Sequence, residues 1–290
     1  MSCFGHSSRR RLCLLAGAAF SIVLAQPAKA VDEIQVYNAN IAASGQFTIT
    51  QHLNYIGVGL KDPPFPGGIV SNHSINGTPE FAYGVTDWWE VGLYLPFAIQ
   101  DRQFLSDAFK LRTLLVSPQA DQRNFFYGIN FEFSYSMPRF SQTRFGLEIR
   151  PIVGIRNADW EFIVNPIVDI GFGKNGEADF TPAARLARKL GPDLYAGLEY
   201  YADLGEIGNF AKLPDQKHTL FAVTDFKLDD FGVNFGLGFG LTPASDRFVV
   251  KTIVAYAFPV PGSNSNASMH PSASGPVNPM SRAATRFAQP

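Results

Sequence analysis

The sequence predicts an all-β fold, an antiparallel up-and-down transmembrane β-barrel of about twelve strands, on three observations. Residues 231–242 read Phe-Gly-Val-Asn-Phe-Gly-Leu-Gly-Phe-Gly-Leu-Thr, large apolar residues alternating strictly with small or polar ones. Successive side chains of a strand point to opposite sides, so this segment has one greasy face and one small, polar face. The same period recurs in twelve segments, and an export signal precedes them all. Only helices and closed barrels satisfy every backbone polar group in lipid, and no stretch outside the signal approaches 18 consecutive apolar residues.

The signal comes first. Arg9, Arg10 and Arg11 precede the apolar run Leu12 to Leu24 and the small-residue site Ala28-Lys29-Ala30, which places cleavage before Val31. The run is too short for the ~20 residues that a helical span needs. Residues 1–30 are therefore read as signal peptide. Residues 31–43 carry little pattern and are expected to be a periplasmic lead-in to a barrel over 44–258.

The first strand is expected at 46–56, with Phe47, Ile49, Leu53 and Tyr55 on one face and Gln46, Thr48, Thr50, His52 and Asn54 on the other. A Pro- and Gly-rich loop, 57–74, leads to a second strand at 75–85. Thr86-Asp87 turns into 88–99, where Trp89, Val91, Leu93, Leu95 and Phe97 alternate with Trp88, Glu90, Gly92 and Tyr94. In 125–135 the apolar face is Phe125, Tyr127, Ile129, Phe131, Phe133 and Tyr135. Further strands are expected at 109–116, 144–156, 160–172, 180–189, 194–202, 218–228, 231–241 and 248–258.

Connection lengths sort into two series. After the odd-numbered strands they run long (57–74, 100–108, 136–143, 173–179, 203–217 and 242–247). After the even-numbered ones they are short, as at Thr86-Asp87, 157–159, 191–193 and Asp229-Asp230, with 117–124 the exception. Short periplasmic turns and longer outer loops are the habit of bacterial barrels, as is an even strand number. Trp88, Trp89, Trp160, Tyr135, Tyr200 and Phe258 fall near strand ends, where interfacial aromatic girdles lie. Beyond Phe258, residues 259–290 are rich in Pro, Ser and Asn and are read as a disordered periplasmic tail.

Both cysteines, Cys3 and Cys13, lie in the signal, so the mature chain has no disulfide or thiolate site, and no cofactor is expected. Removing the signal's four basic residues leaves 20 basic against 25 acidic, a net charge of −5. That charge argues against a nucleic-acid partner. The expected partners are outer-membrane lipid, the barrel assembly machinery and a small-molecule solute.

From about Thr78 to Phe258 the chain resembles a family of proteobacterial outer-membrane proteins labelled transporters of the meta-pathway of phenol degradation. The likeness is carried by the run Thr78-Pro79-Glu80-Phe81-Ala82-Tyr83-Gly84-Val85-Thr86-Asp87-Trp88-Trp89-Glu90-Val91-Gly92-Leu93. Gly146-Leu147-Glu148-Ile149-Arg150-Pro151, Asn165-Pro166, Gly197-Leu198-Glu199-Tyr200-Tyr201 and Thr242-Pro243-Ala244-Ser245-Asp246-Arg247 add to it. The resemblance implies a barrel and an aromatic or otherwise apolar cargo. The tail after Phe258 departs from the family's usual end at the terminal aromatic.

Assigning the apolar face to lipid leaves a charged inward set. A charge facing lipid at mid-bilayer costs roughly 2–4 kcal/mol, so such groups face the lumen or sit near the rims. The candidate lumen-lining residues are Glu80, Glu90, Arg112, Glu132, Glu148, Arg150, Asp169, Glu199 and Lys251, with Lys110, Glu161, Arg185 and Arg247 sharing their register. Two readings follow: a polar path that passes small solutes passively, or a salt-bridge lattice that fills and plugs a structural or surface-interaction barrel. The inward glycines of 231–241 either leave room for solute or let side chains from the opposite wall cross the lumen. An enzyme is not expected, since His52, His73, His218 and His270 are scattered and no nucleophile or metal motif accompanies them. The remaining catalytic option pairs Glu80 or Glu148 with His52 or His218. Asn234, on the inward face, is expected to tolerate aspartate, whereas arginine at Val233 or Leu237 is expected to hinder insertion.

Overall fold

The computed structural model describes residues 33–259. The expected signal peptide, with Cys3 and Cys13, and residues 260–290 of the expected tail, with His270, lie outside the described residues.

Sixteen strand segments follow one another. They are β1 (Phe47–Val58), β2 (Ile75–Gly84), β3 (Trp89–Tyr94), β4 (Phe97–Gln100), β5 (Gln103–Ser106), β6 (Phe109–Val116), β7 (Phe125–Tyr135) and β8 (Phe145–Arg156). Then come β9 (Trp160–Asn165), β10 (Val168–Phe172), β11 (Ala178–Phe180), β12 (Ala183–Gly191), β13 (Leu194–Asp203), β14 (Lys217–Leu228), β15 (Phe231–Gly240) and β16 (Phe248–Ala257). Four pairs of segments (β3 with β4, β5 with β6, β9 with β10, β11 with β12) are halves of single staves, which gives an antiparallel barrel of twelve. The sheet closes because β1 pairs with both β2 and β16, Thr48 facing Ala82 on one side and Ala257 on the other.

Three strands expected to be continuous are broken, each beside a proline. Residues 88–99 split at Leu95-Pro96, 160–172 at Pro166-Ile167, and 180–189 at Thr181-Pro182. Proline has no N–H to give to the ladder, so the ladder is interrupted at each break and resumes with the same neighbouring staves beyond it. Thus β9 pairs with β8 and β12, and β10 pairs with β8 and with β11, the other half of the β12 stave. A second correction concerns 100–108, expected to be a loop. Gln103–Ser106 pairs with β4 as a hairpin, Gln100 facing Gln103. Its turn residues Asp101 and Arg102 have φ of 49° and 63°, the left-handed pair of a two-residue hairpin turn. The pattern hid this strand because Leu105 packs inward against Ala98 and Phe140, an odd number of residues before inward-facing Lys110.

The faces divide as the alternation requires. Phe125, Tyr127 and Ile155 are more than half exposed on the outer surface, whereas His52, Asn130, Asn165 and Lys251 are fully buried within. The inward glycines of β15 do not open the lumen. A Cβ at Gly238 would lie 2.4 Å from the Phe221 ring, and one at Gly236 would meet Lys251 at 3.0 Å. Side chains from the neighbouring strands β14 and β16, and not from the opposite wall, therefore occupy the space that glycine vacates.

Residues 33–43 form no strand, and they do not lie outside the barrel. They run through its interior, where Val36, Tyr37 and Ala39 pack with Leu114, Phe126, Ile152 and Ile163. Ile34 packs with Ile56, Phe221, Val223 and Val249. An apolar row buried on all sides needs no alternating face, so period 2 gave no sign of it.

Candidate functional site

The lumen holds two charge lattices, one on each side of the threaded segment. In the first, Arg112 of β6 donates to Glu80 of β2 at 2.6 Å and to Glu90 of β3 at 2.5 Å. His52 Nε2 lies 3.1 Å from the other oxygen of Glu80. Antiparallel register creates the cluster: Glu80 faces Tyr94 and Gly92 faces Arg112, so alternate residues of three strands converge at one level.

The second lattice centres on Arg185 of β12. It donates to Glu199 at 2.6 Å and to Asp225, and its Nε lies 3.5 Å from Glu161. Lys251 donates to Glu199, Tyr201 donates to the same carboxylate at 2.6 Å, and Arg156 reaches Glu161 at 3.4 Å. Asn234 donates to Asp225 at 2.7 Å. A buried charge left alone is costly, and each of these ions meets an opposite charge, although Glu161 Oε1, Arg156 Nε and Arg185 Nε make ion-pair contacts without a hydrogen bond.

Between the lattices, wall side chains hold the main chain of residues 34–42. Lys251 Nζ donates to the Ile34 carbonyl at 3.1 Å, and Arg150 Nη1 to the Gln35 carbonyl at 3.1 Å. The Asn165 carboxamide accepts from the Tyr37 amide at 2.7 Å and donates to the Tyr37 carbonyl at 3.0 Å. Arg156 reaches the Asn38 carbonyl at 3.4 Å, and Glu90 accepts from the Ala42 amide at 2.5 Å. The Tyr37 hydroxyl lies 2.6 Å from that of Tyr94 and donates to Glu132 at 3.1 Å, while the Arg150 guanidinium stacks over its ring at 4.2 Å. Burial, with the Glu132 and Glu33 carboxylates beside it, holds the Tyr37 phenol well above its usual pKa, so it remains a donor.

Above the segment, at the end of the barrel that carries the long connections, lies a cavity of about 270 Å³. Eight carboxylates line it against three cations, Lys110, Arg150 and Lys217. Glu33 of the threaded segment forms part of its floor, paired with Lys110 at 3.1 Å. Tyr201, Phe221, Ile167 and Phe140 supply apolar wall.

The nine candidate lumen residues fall in three places. Glu80, Glu90 and Arg112 form the first lattice, and Glu199 and Lys251 belong to the second. Glu132, Glu148, Arg150 and Asp169 line the cavity, where Arg150 grips Glu148 with two bonds of 2.7 and 3.0 Å and Thr181 donates to Asp169 at 2.9 Å. Arg247, which shares their register, is instead exposed in the connection before β16. His218 turns away from Glu148 and meets Tyr200 at 2.5 Å and Gln216 at 2.9 Å. His52 and Glu80 do meet, but both are buried and Arg112 holds the other oxygen of Glu80, so the pair has no approach for a substrate.

Sequence reasoning missed Tyr37, Asn165, Asp225 and Asn234 as members of the site. Asp225 and Asn234 occupy inward positions of strands that alternation locates, and an unexplained polar residue at such a position was the available signal. Asn165 carries the same signal, on one face with Glu161 and Ile163, and nothing marked Tyr37.

No protein-family profile matches the chain, and no curated protein matches it by sequence. Among solved structures, it is similar to the COG4313 outer membrane channel from Pseudomonas putida F1, with a TM-score of 0.57 at 11% identity, covering 78% of this chain and 100% of that one. It is also similar to the NanC porin (TM-score 0.48, 7% identity, 74% and 100% covered) and to the translocator domain of the autotransporter NalP from Neisseria meningitidis (0.45, 10%, 77% and 91%). At 11% identity the likeness to the COG4313 channel is one of fold alone, a closed antiparallel β-barrel.

Proposed function

We propose that this chain is an outer-membrane channel that admits small solutes passively from the long-loop end. Its N-terminal segment serves as the constriction. The observation that carries the reading is the carboxylate-rich cavity of about 270 Å³ seated directly on residues 33–35. A vestibule of that size holds a small solute, and its floor is a segment tied down by single hydrogen bonds rather than by a strand ladder. The apolar wall of Tyr201, Phe221 and Ile167 supports a solute with an aromatic or apolar body, as the family resemblance implies. The excess of carboxylates supports a positive charge on that solute.

The reading includes residues 1–30 as a removed signal, an apolar outer face in contact with lipid, and insertion by the barrel assembly machinery through an end strand closing on Tyr256-Ala257-Phe258. Non-enzymatic passage accords with the sealed His52–Glu80 pair. A second reading is favoured by the filling of the lumen beneath the vestibule. In that reading the barrel is permanently plugged and serves a structural or surface-interaction role.

Single-channel recording of the refolded mature protein, beside a form lacking residues 31–43, tests both. Discrete steps that grow when the segment is removed support the channel. No current from either form, each shown to be folded, supports the plugged barrel.

A further inference from the structure

The threaded segment is bound chiefly through its main chain. Five wall side chains (Glu90, Arg150, Arg156, Asn165 and Lys251) make six bonds to backbone atoms of Ile34, Gln35, Tyr37, Asn38 and Ala42. Asn165 meets both polar groups of Tyr37, as a neighbouring strand would. Such contacts are available to any extended peptide whatever its side chains, because each non-proline residue carries the same donor and acceptor.

Side chains add selectivity, since Val36 and Ala39 are buried against Leu114, Phe126, Ile152 and Ile163. Ile34 fills an apolar pocket of Ile56, Phe221, Val223 and Val249. Three residues on, the Tyr37 hydroxyl meets Tyr94 and Glu132 while its ring lies beneath Arg150. The wall thus presents a peptide-reading surface with aliphatic subsites and a tyrosine subsite.

We propose that the lumen is a binding site for extended peptides of the pattern aliphatic-x-aliphatic-Tyr, of which residues 33–42 are the resident occupant. A free peptide of this pattern takes the same place once the resident is released. The inference does not depend on conduction: peptide exchange in a barrel that passes no current would sink the channel reading alone.

Ala43, Ser44 and Gly45 are exposed, which gives a place to cut. A specific protease site inserted there lets the full chain fold with its segment in place before cleavage. A fluorescent peptide of sequence 32–43 is then added to the cut barrel and its binding followed by anisotropy. Saturable binding that releases the resident fragment, detected by mass spectrometry, is the expected result. A peptide altered at Gln35 and Asn40, which are only partly buried, should bind within about threefold of the parent. Replacing Ile34 or Tyr37 of the peptide by Ala should weaken binding about tenfold or more, and methylating the Tyr37 amide nitrogen should weaken it at least as much. These peptide changes leave the barrel untouched, so misfolding cannot imitate them. Asn165→Leu in the barrel should erase the difference between the methylated and parent peptides. Failure of the peptide to bind the cut barrel, or equal binding of the methylated and parent peptides, would overturn the proposal.

Discussion

Asn234 donates a hydrogen bond of 2.7 Å to Asp225 on the adjacent strand, and both side chains are buried inside the barrel. Asp225 is held from its other side by Arg185. An inward position of β15 that reads as a tolerant lumen site is therefore a member of a closed charge lattice.

Asn234→Asp should consequently destabilise the barrel, contrary to what its inward position alone suggests. The change replaces the donor with a second carboxylate facing Asp225, and a lost buried bond to a charge costs about 1.5–3 kcal/mol. Urea unfolding of the refolded protein in detergent measures it. A midpoint equal to wild type would show that the lattice is not what holds β14 to β15.

Leu237→Arg attacks the opposite face of the same strand. Leu237 points outward, and a mid-bilayer arginine on the lipid side costs roughly 2–4 kcal/mol. Assembly yield into vesicles should drop well below wild type. Undiminished insertion would reverse the face assignment of β15.

Gly238→Val tests close packing rather than charge. The Phe221 ring lies where the new Cβ would go, and overpacking of this kind costs typically about 1–3 kcal/mol. Combining it with Phe221→Ala should restore part of the loss, because the ring that causes the clash is then absent. A double variant no better than the single one would count against the contact.

Arg185→Met should be far more damaging than Lys217→Met. Arg185 is fully buried among Glu161, Glu199 and Asp225, and removing one partner of a buried ion pair costs about 3–5 kcal/mol. Lys217 sits at a partly exposed rim, 3.4 Å from Asp203, where a pair is worth about 0–1 kcal/mol. Thermal unfolding monitored by gel mobility separates the two, and equal losses would refute the distinction.

The vestibule's eight carboxylates against three cations set the sign of ion preference. In a salt gradient, the reversal potential of the form lacking residues 31–43 should favour cations, and Asp169→Asn with Asp203→Asn should reduce that preference. Anion preference would place the selective step away from this cavity.

Twelve staves were legible because lipid on one side and a packed lumen on the other impose the same two-residue period on every strand. That period also concealed the breaks. Glu161, Ile163, Asn165, Ile167 and Asp169 keep one parity across Pro166, so alternation continues where the hydrogen-bond ladder is interrupted. The inward charges could be named, since a charge must avoid lipid. Their grouping could not, because Glu80, Glu90 and Arg112 meet through register between strands, which no local pattern encodes. Residues 33–43 were illegible for a different reason. Surrounded by the barrel wall, with Ile34, Val36, Tyr37, Asn38 and Ala39 all buried, they show no regular wet and dry faces to distinguish.

The barrel's closing seam has a consequence in time. Thr48 pairs with Ala257, and Lys251 reaches the Ile34 carbonyl across 217 positions of sequence. Neither contact can form until the last strand has been made, and contacts between such distant residues are slow to find because the intervening chain must first be confined. The earliest residues of the described chain thus wait on the latest. Enclosure of the segment and sealing of the wall draw on the same strand, so a chain halted before β16 would leave two raw sheet edges and an interior still open to its surroundings.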